Sequence, residues 1–154
     1  MVLLSVLFYS CQESLRKYSV VPLVIRRVVS ELDLDDYQIP AGSTLALHIQ
    51  AVHHNPKYWP KPMSFDPTRF INQRPAPYTF LPFLEGPRNC LGQHLSLLES
   101  KIVLALLAQR YNFESEREIM TELGCKATDP RHRYMVPVTP KEHMNVSVTM
   151  RSKE

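Results

Sequence analysis

Three cysteines, Cys11, Cys90 and Cys125, are all that the 154 residues contain. An odd and sparse set makes a poor disulfide framework, and a reducing compartment is the default reading. No CxxC pair and no Cys/His cluster has the spacing of a structural zinc site. Glycine is scarce, at four residues where average usage gives roughly 11, so collagen-like and glycine-rich linker classes drop out. Neither sign of charge dominates: 18 Lys and Arg against 15 Asp and Glu leave +3. That is too mild to argue for nucleic acid or an anionic membrane surface. Long apolar runs are missing too. The uncharged opening, residues 1–10, falls short of the roughly 20 residues of a membrane span. It also lacks the basic start and small-residue cleavage site of a signal peptide, and reads as the buried end of a helix or strand.

What the chain does have is proline, 13 residues against roughly 8 from average usage. Seven of them fall between Asn55 and Pro82, which excludes long helices there. The same stretch holds Tyr58, Trp59, Phe65, Phe70, Tyr78 and Phe80. Disordered linkers seldom carry so many aromatics, so this is an ordered loop packed against something, and such loops are usually functional. With hydrophobic residues at 44% and charged residues at 21%, the chain as a whole is not a disordered composition.

Around that loop the pattern predicts regular elements. Residues 1–17 lack proline and glycine and read as a helix. Ser19–Val29 is a Val/Ile run with Pro22 near its start, an extended segment at a sheet edge. Tyr37–Ser43 reads as a strand entering a Pro-Ala-Gly turn. Thr44–Val52 fits strand or helix equally. Gly92–Tyr111 is the clearest helix, and its C-terminal half is apolar almost all round, so deep burial is expected. Tyr134–Val138 and Asn145–Met150 read as two strands of a hairpin, with residues 139–142 as the turn.

Chemistry concentrates just before the long helix, in Phe83-Leu84-Glu85-Gly86-Pro87-Arg88-Asn89-Cys90-Leu91-Gly92. A cysteine at a helix start beside an arginine suits a thiolate, hence a nucleophile or a soft metal ligand. Gly86 and Gly92 allow a tight backbone and the close approach of another body. An inert buried cysteine ahead of a core helix fits these local features equally well. A thiol hydrolase is the weaker enzymatic alternative.

This segment resembles the haem-binding loop of cytochromes P450, F-x-x-G-x-R-x-C-x-G, at all five fixed positions: Phe83, Gly86, Arg88, Cys90 and Gly92. Two further patterns of that family stand upstream in the expected order. Glu13-Ser14-Leu15-Arg16 matches E-x-x-R, and Phe65-Asp66-Pro67-Thr68-Arg69-Phe70 matches F-x-P-x-R-F. Alone, E-x-x-R carries almost no information; three patterns in order make chance remote. The resemblance covers essentially the whole chain. It implies an α+β chain, the C-terminal part of the mainly helical P450 fold: K-helix, small sheets, meander, Cys loop, L-helix and terminal hairpin, one partial domain over residues 1–154.

The resemblance further implies a haem-thiolate monooxygenase, inserting one oxygen atom from O₂ into a small apolar substrate. Haem b would be the cofactor, with Cys90 as the axial thiolate that favours O–O cleavage. Arg88 would pair with a propionate, and Phe83 would shield the sulfur. Arg26, ten residues after Arg16, would be a second propionate partner, although a surface arginine at a strand edge is the plain alternative. Glu13, Arg16 and Arg69 would form a structural triad that pins the meander, not a catalytic one. Substrate would contact residues 20–25 and 134–138. NADPH-cytochrome P450 reductase or a similar donor would supply electrons, and no nucleic acid is involved. The full-length parent would sit on the endoplasmic reticulum membrane through an N-terminal anchor absent here. The family's oxygen-activating helix, with its acidic-threonine pair, would lie upstream of Glu13, so the chain is expected to be a truncated product. A non-catalytic haem-binding chain and a nonfunctional fragment are the alternatives. Lys17-Tyr18-Ser19 and Thr68 depart from common family usage without removing an essential atom.

Overall fold

In a computed structural model, which describes residues 2–71, 74–115, 132–133, 139–140 and 146–151, the chain opens with helix α1, Val2–Lys17. Arg16 and Lys17 occupy its last turn, where cations favour the helix dipole. Tyr18 N–H still bonds back to Ser14 O at 2.8 Å, and Pro22 forbids further helix. The helix is only half-buried over residues 7–12 and becomes buried at Glu13. The expectation of a buried N-terminal end is therefore corrected: the buried face is the C-terminal half.

Strand β1, Leu23–Arg27, follows Pro22. Then come the short hairpin β2, Leu32–Leu34, and β3, Tyr37–Ile39. The ambiguous stretch from Thr44 turns out to be both candidates in succession: β4, Thr44–His48, and then α2, Ile49–His53. β4 pairs antiparallel with β1, Leu23 facing His48 and Arg27 facing Thr44. The turn before β4 rests on Gly42, whose φ of +86° is open to glycine at no steric cost. Its N–H donates to Val28 O at 2.7 Å and Val28 N–H to Ser43 O at 2.9 Å. His48 caps α2 by accepting from Ala51 N–H at 3.0 Å.

Among the described residues from there to residue 92 the backbone is irregular, as its prolines require, with one short 3₁₀ turn at Pro67–Phe70 capped by Asp66. Trp59, Phe70 and Phe80 form an aromatic cluster, the Phe70 and Phe80 ring centroids lying 5.1 Å apart and Trp59 within 6.0 Å of both. With Val28 and Ile49, Trp59 and Phe70 are the buried apolar side chains among the described residues. Six charged and polar side chains are buried as well, Glu13, Arg16, Lys17, Ser19, His53 and Thr79, more than the four apolar ones. The core is thus largely polar, at the junction of α1, α2 and the meander.

Helix α3, Gln93–Arg110, overturns the expectation of deep burial. No residue of it is buried; Leu95 is 62% exposed, and Leu98, Ile102, Val103 and Leu106 are exposed as well. Apolar composition registers a demand for cover, not its supply. In this chain α1 lies along α3 on one side, where Lys101 Nζ sits 4.0 Å from the centroid of the Phe8 ring.

Of the expected C-terminal hairpin, only the second strand is described. β5, Tyr111–Ser115, pairs antiparallel with β8, Val146–Met150, Phe113 facing Val148. The residues read as a turn hold a strand instead: β6, His132–Arg133, pairs with β7, Thr139–Pro140. Residues 134–138 lie outside the described residues. The alternation Tyr111/Phe113 and Val146/Val148/Met150 has a strand's period of two. What pairs with what depended on bringing together strands separated by the 30 residues 116–145, which local pattern does not report.

Candidate functional site

Two assemblies stand at the ends of the meander. The first is built on α1. Glu13 and Arg16 are three residues apart, hence on one helix face, and both side chains are 0% exposed. Arg16 Nε donates to Glu13 Oε2 and Nη2 to Oε1, each at 2.8 Å, a bidentate, charge-assisted pair. Glu13 Oε1 also accepts from the Asp66 N–H at 2.9 Å. Arg69 Nε approaches the same oxygen at 3.4 Å as an ion-pair contact. The remaining guanidinium donors hold meander carbonyls: Arg16 reaches Pro62 O at 2.7 Å, while Arg69 reaches Pro60 O at 2.5 Å and Lys61 O at 2.9 Å. Glu13, Arg16 and Arg69 therefore come together, and they staple a meander whose own described backbone bonds close only local turns.

His53 belongs to this assembly, and sequence reasoning missed it. Its side chain is 0% exposed. Its carbonyl accepts from Arg16 Nη1 at 2.8 Å. Its Nε2 accepts from the Leu81 N–H at 2.8 Å, so the ring's single proton resides on Nδ1. That nitrogen donates to Ser19 Oγ at 2.7 Å, and the Ser19 hydroxyl lies 3.4 Å from Arg16 O. Burial first, and the Arg16 charge second, hold its pKa down from 6.5 to about 4. The available signal was a histidine at the end of a helical stretch, just ahead of Asn-Pro, but nothing in the sequence sets it apart from His54.

The second assembly is the loop bearing Cys90. Leu84 N–H bonds to Leu81 O at 3.2 Å, closing one turn, and Asn89 N–H bonds to Gly86 O at 3.1 Å, closing another. Gly86 has φ +83° with open space about its Cα, so conformation and not crowding asks for glycine there. Cys90 N–H donates to Phe83 O at 2.8 Å, which folds the loop onto itself and joins two of the motif positions. Cys90 O in turn accepts from Gln93 N–H at 3.3 Å, and Gly92 caps α3. A Cβ on Gly92 would meet Cys90 Sγ at 3.8 Å, ordinary contact. Cys90 is exposed, which rules out the inert buried cysteine. Arg88 is exposed beside it, and Leu91 is 100% exposed. Arg26, half-buried on β1, donates to its neighbour Ile25 O at 2.9 Å, not to the loop.

Leu84 stands at φ +62°, a conformation that costs a side chain-bearing residue roughly 1–2 kcal/mol. Leu84→Gly is expected to raise stability by about 1 kcal/mol, net of glycine's extra chain entropy. A urea melt checks this; lower stability would mean that the Leu84 side chain's contacts outweigh its backbone strain.

The loop carries one exposed thiol, one exposed guanidinium, the exposed Glu85 and Asn89, and otherwise apolar side chains. It suits a flat apolar group that carries a soft metal and carboxylates. Among the described residues no cluster of His, Cys, Asp and Glu could hold a metal ion by itself, and no helix is long and apolar enough to cross a membrane.

The family model described as Cytochrome P450 matches residues 3–137. Cytochrome P450 4c3 of Drosophila melanogaster is 34% identical over 85% of this chain and 25% of its own length. Thromboxane-A synthase of Sus scrofa is 36% identical over 84% of the chain and likewise 25% of its own. The chain thus spans about a quarter of these curated relatives. A zebra fish cytochrome P450 structure superposes with a TM-score of 0.79 at 29% identity, covering 96% of this chain and 34% of that one.

Proposed function

Because the chain belongs to the cytochrome P450 family, we propose that it is the haem-binding C-terminal portion of a monooxygenase, with Cys90 as the proximal ligand of haem iron. One observation carries the reading. The only loop that matches the family's five fixed positions presents its cysteine exposed, its backbone tied by the Cys90 N–H to Phe83 O bond. When bound, haem b supplies the activation of O₂ for insertion of one oxygen atom into a substrate.

The chain's own residues do the holding. The Phe83 carbonyl fixes the Cys90 backbone, and Gly86 lets the turn before it close. Arg88 is free to pair with a propionate carboxylate. Leu91 and Leu95, exposed along one flank of the loop and helix, offer apolar contact to the macrocycle. The substrate is a small apolar molecule: Val20, Val21 and Ile25 are all exposed in the segment that the family places above the haem. Electrons come from NADPH-cytochrome P450 reductase or a similar donor, and the endoplasmic reticulum membrane is the proposed location of the whole protein. A chain that binds haem without turnover is the second reading. Oxidation of a P450 probe substrate with reductase present rules that second reading out.

Titration of the chain with haem tests the proposal. Saturable uptake of one haem per chain is expected, weakened on the order of tenfold in Arg88→Ala through the lost charge-assisted bond. Soluble protein that takes up no haem would overturn the reading; unchanged affinity in Arg88→Ala would remove Arg88 from the site.

A further inference from the structure

We infer that His53 is a positioning residue for the Cys90 loop: as a neutral ring protonated on Nδ1, it clasps the Leu81 N–H and so couples the Glu13–Arg16–Arg69 cluster to the start of that loop. Its importance for haem rests on reading Cys90 as the ligand; the clasp itself does not.

The geometry leaves His53 no slack. Its carbonyl is held by Arg16, its Nδ1–H by Ser19, and its Nε2 lone pair by Leu81. Leu81 lies two residues before Phe83, whose carbonyl holds the Cys90 N–H. Leu81 O also accepts from Leu84 N–H. One residue therefore links three places: α1 through its carbonyl on Arg16, Ser19 just past α1 through Nδ1, and the Cys loop through Nε2 on Leu81, with α2 supplying its backbone. The Phe80 ring lies 5.5 Å from the imidazole by centroids, and Trp59 Nε1–H bonds to Thr79 O at 3.1 Å. The segment 79–81 is thus locked from both sides, with the chain's single tryptophan as its reporter.

A second proton on the ring would set an N–H against the Leu81 N–H. The ionisable groups around His53 oppose that proton. Arg16 on α1 and His54 at the C-terminal cap of α2 both disfavour the cation. Glu13, the near carboxylate, is already engaged by Arg16, Arg69 and the Asp66 N–H. The segment 79–81 carries no ionisable group: the Thr79 hydroxyl donates to Ala76 O, and Phe80 and Leu81 are apolar. The folded pKa lies below the free value, so the clasp's contribution is fully present above 6.5 and is lost as pH falls from 6.5 toward about 4.

The test follows Trp59 emission against pH in the full chain, and haem release in the loaded chain, for wild type, His53→Gln and His53→Leu, with far-ultraviolet circular dichroism as the folding control. Glutamine can accept from Leu81 but does not titrate; leucine can do neither. Wild type is expected to change emission between pH 6.5 and 4, and His53→Gln to hold its pH 7.5 signal at least one unit lower. His53→Leu should release haem on the order of tenfold faster at pH 7.5, since it leaves the half-buried Leu81 N–H without its acceptor. Identical transitions in wild type and His53→Gln would overturn the inference, as would wild-type haem retention in a folded His53→Leu. Should the chain bind no haem, the Trp59 titration still decides the clasp by itself, so the two readings fail separately.

Discussion

Glu13→Ala is expected to lower stability by about 3–5 kcal/mol, a large share of the roughly 5–15 kcal/mol that holds a domain folded. The carboxylate is fully buried and answers four groups: Nε and Nη2 of Arg16, the Asp66 N–H and Arg69 Nε. Its removal leaves the Arg16 guanidinium buried without a counter-charge and a meander amide without an acceptor, and burying an unpaired charge costs far more than an unmade neutral contact. Glu13→Gln keeps an acceptor oxygen and should fall between alanine and wild type. Arg16→Lys should fail nearly as badly, because a lysine cannot supply the fork that reaches Glu13, His53 O and Pro62 O together. Urea unfolding followed by Trp59 emission reads all three. A loss below 1 kcal/mol in Glu13→Ala would show that the meander is held by its aromatic cluster and not by the buried ions.

The same network explains which parts of the molecule were legible beforehand. Absence of proline and glycine marked α1, Pro22 marked the start of the extended segment, and Gly42 marked its turn, because each acts through local backbone sterics. The long loop was legible as ordered from its aromatics, and Trp59, Phe70 and Phe80 do pack together. The Glu13–Arg16–Arg69 cluster was reachable only through the family patterns, since a pair of charges three apart on a helix is commonplace. His53 was not reachable, because its role depends on an N–H that arrives from 28 residues away. The burial of α3 was misjudged for a different reason: hydrophobicity belongs to the helix, whereas cover belongs to whatever packs on it. The β5–β8 pairing was missed because strand periodicity names candidates and loop closure chooses between them.

The central claim is that Cys90 sulfur is the iron ligand, and its removal has the largest effect expected on function. The loop's backbone bonds involve the Cys90 N–H and C=O, not its sulfur, and the side chain is exposed. Cys90→Ala should therefore leave the fold and the Phe83 tie intact while deleting the one soft donor. The measurement is the carbon monoxide difference spectrum of the reduced, haem-loaded chain, wild type beside Cys90→Ala. The account predicts a red-shifted Soret band of thiolate type in wild type that is lost in the variant. A soluble, haem-loaded wild type without that band, or a band that survives in Cys90→Ala, would contradict it.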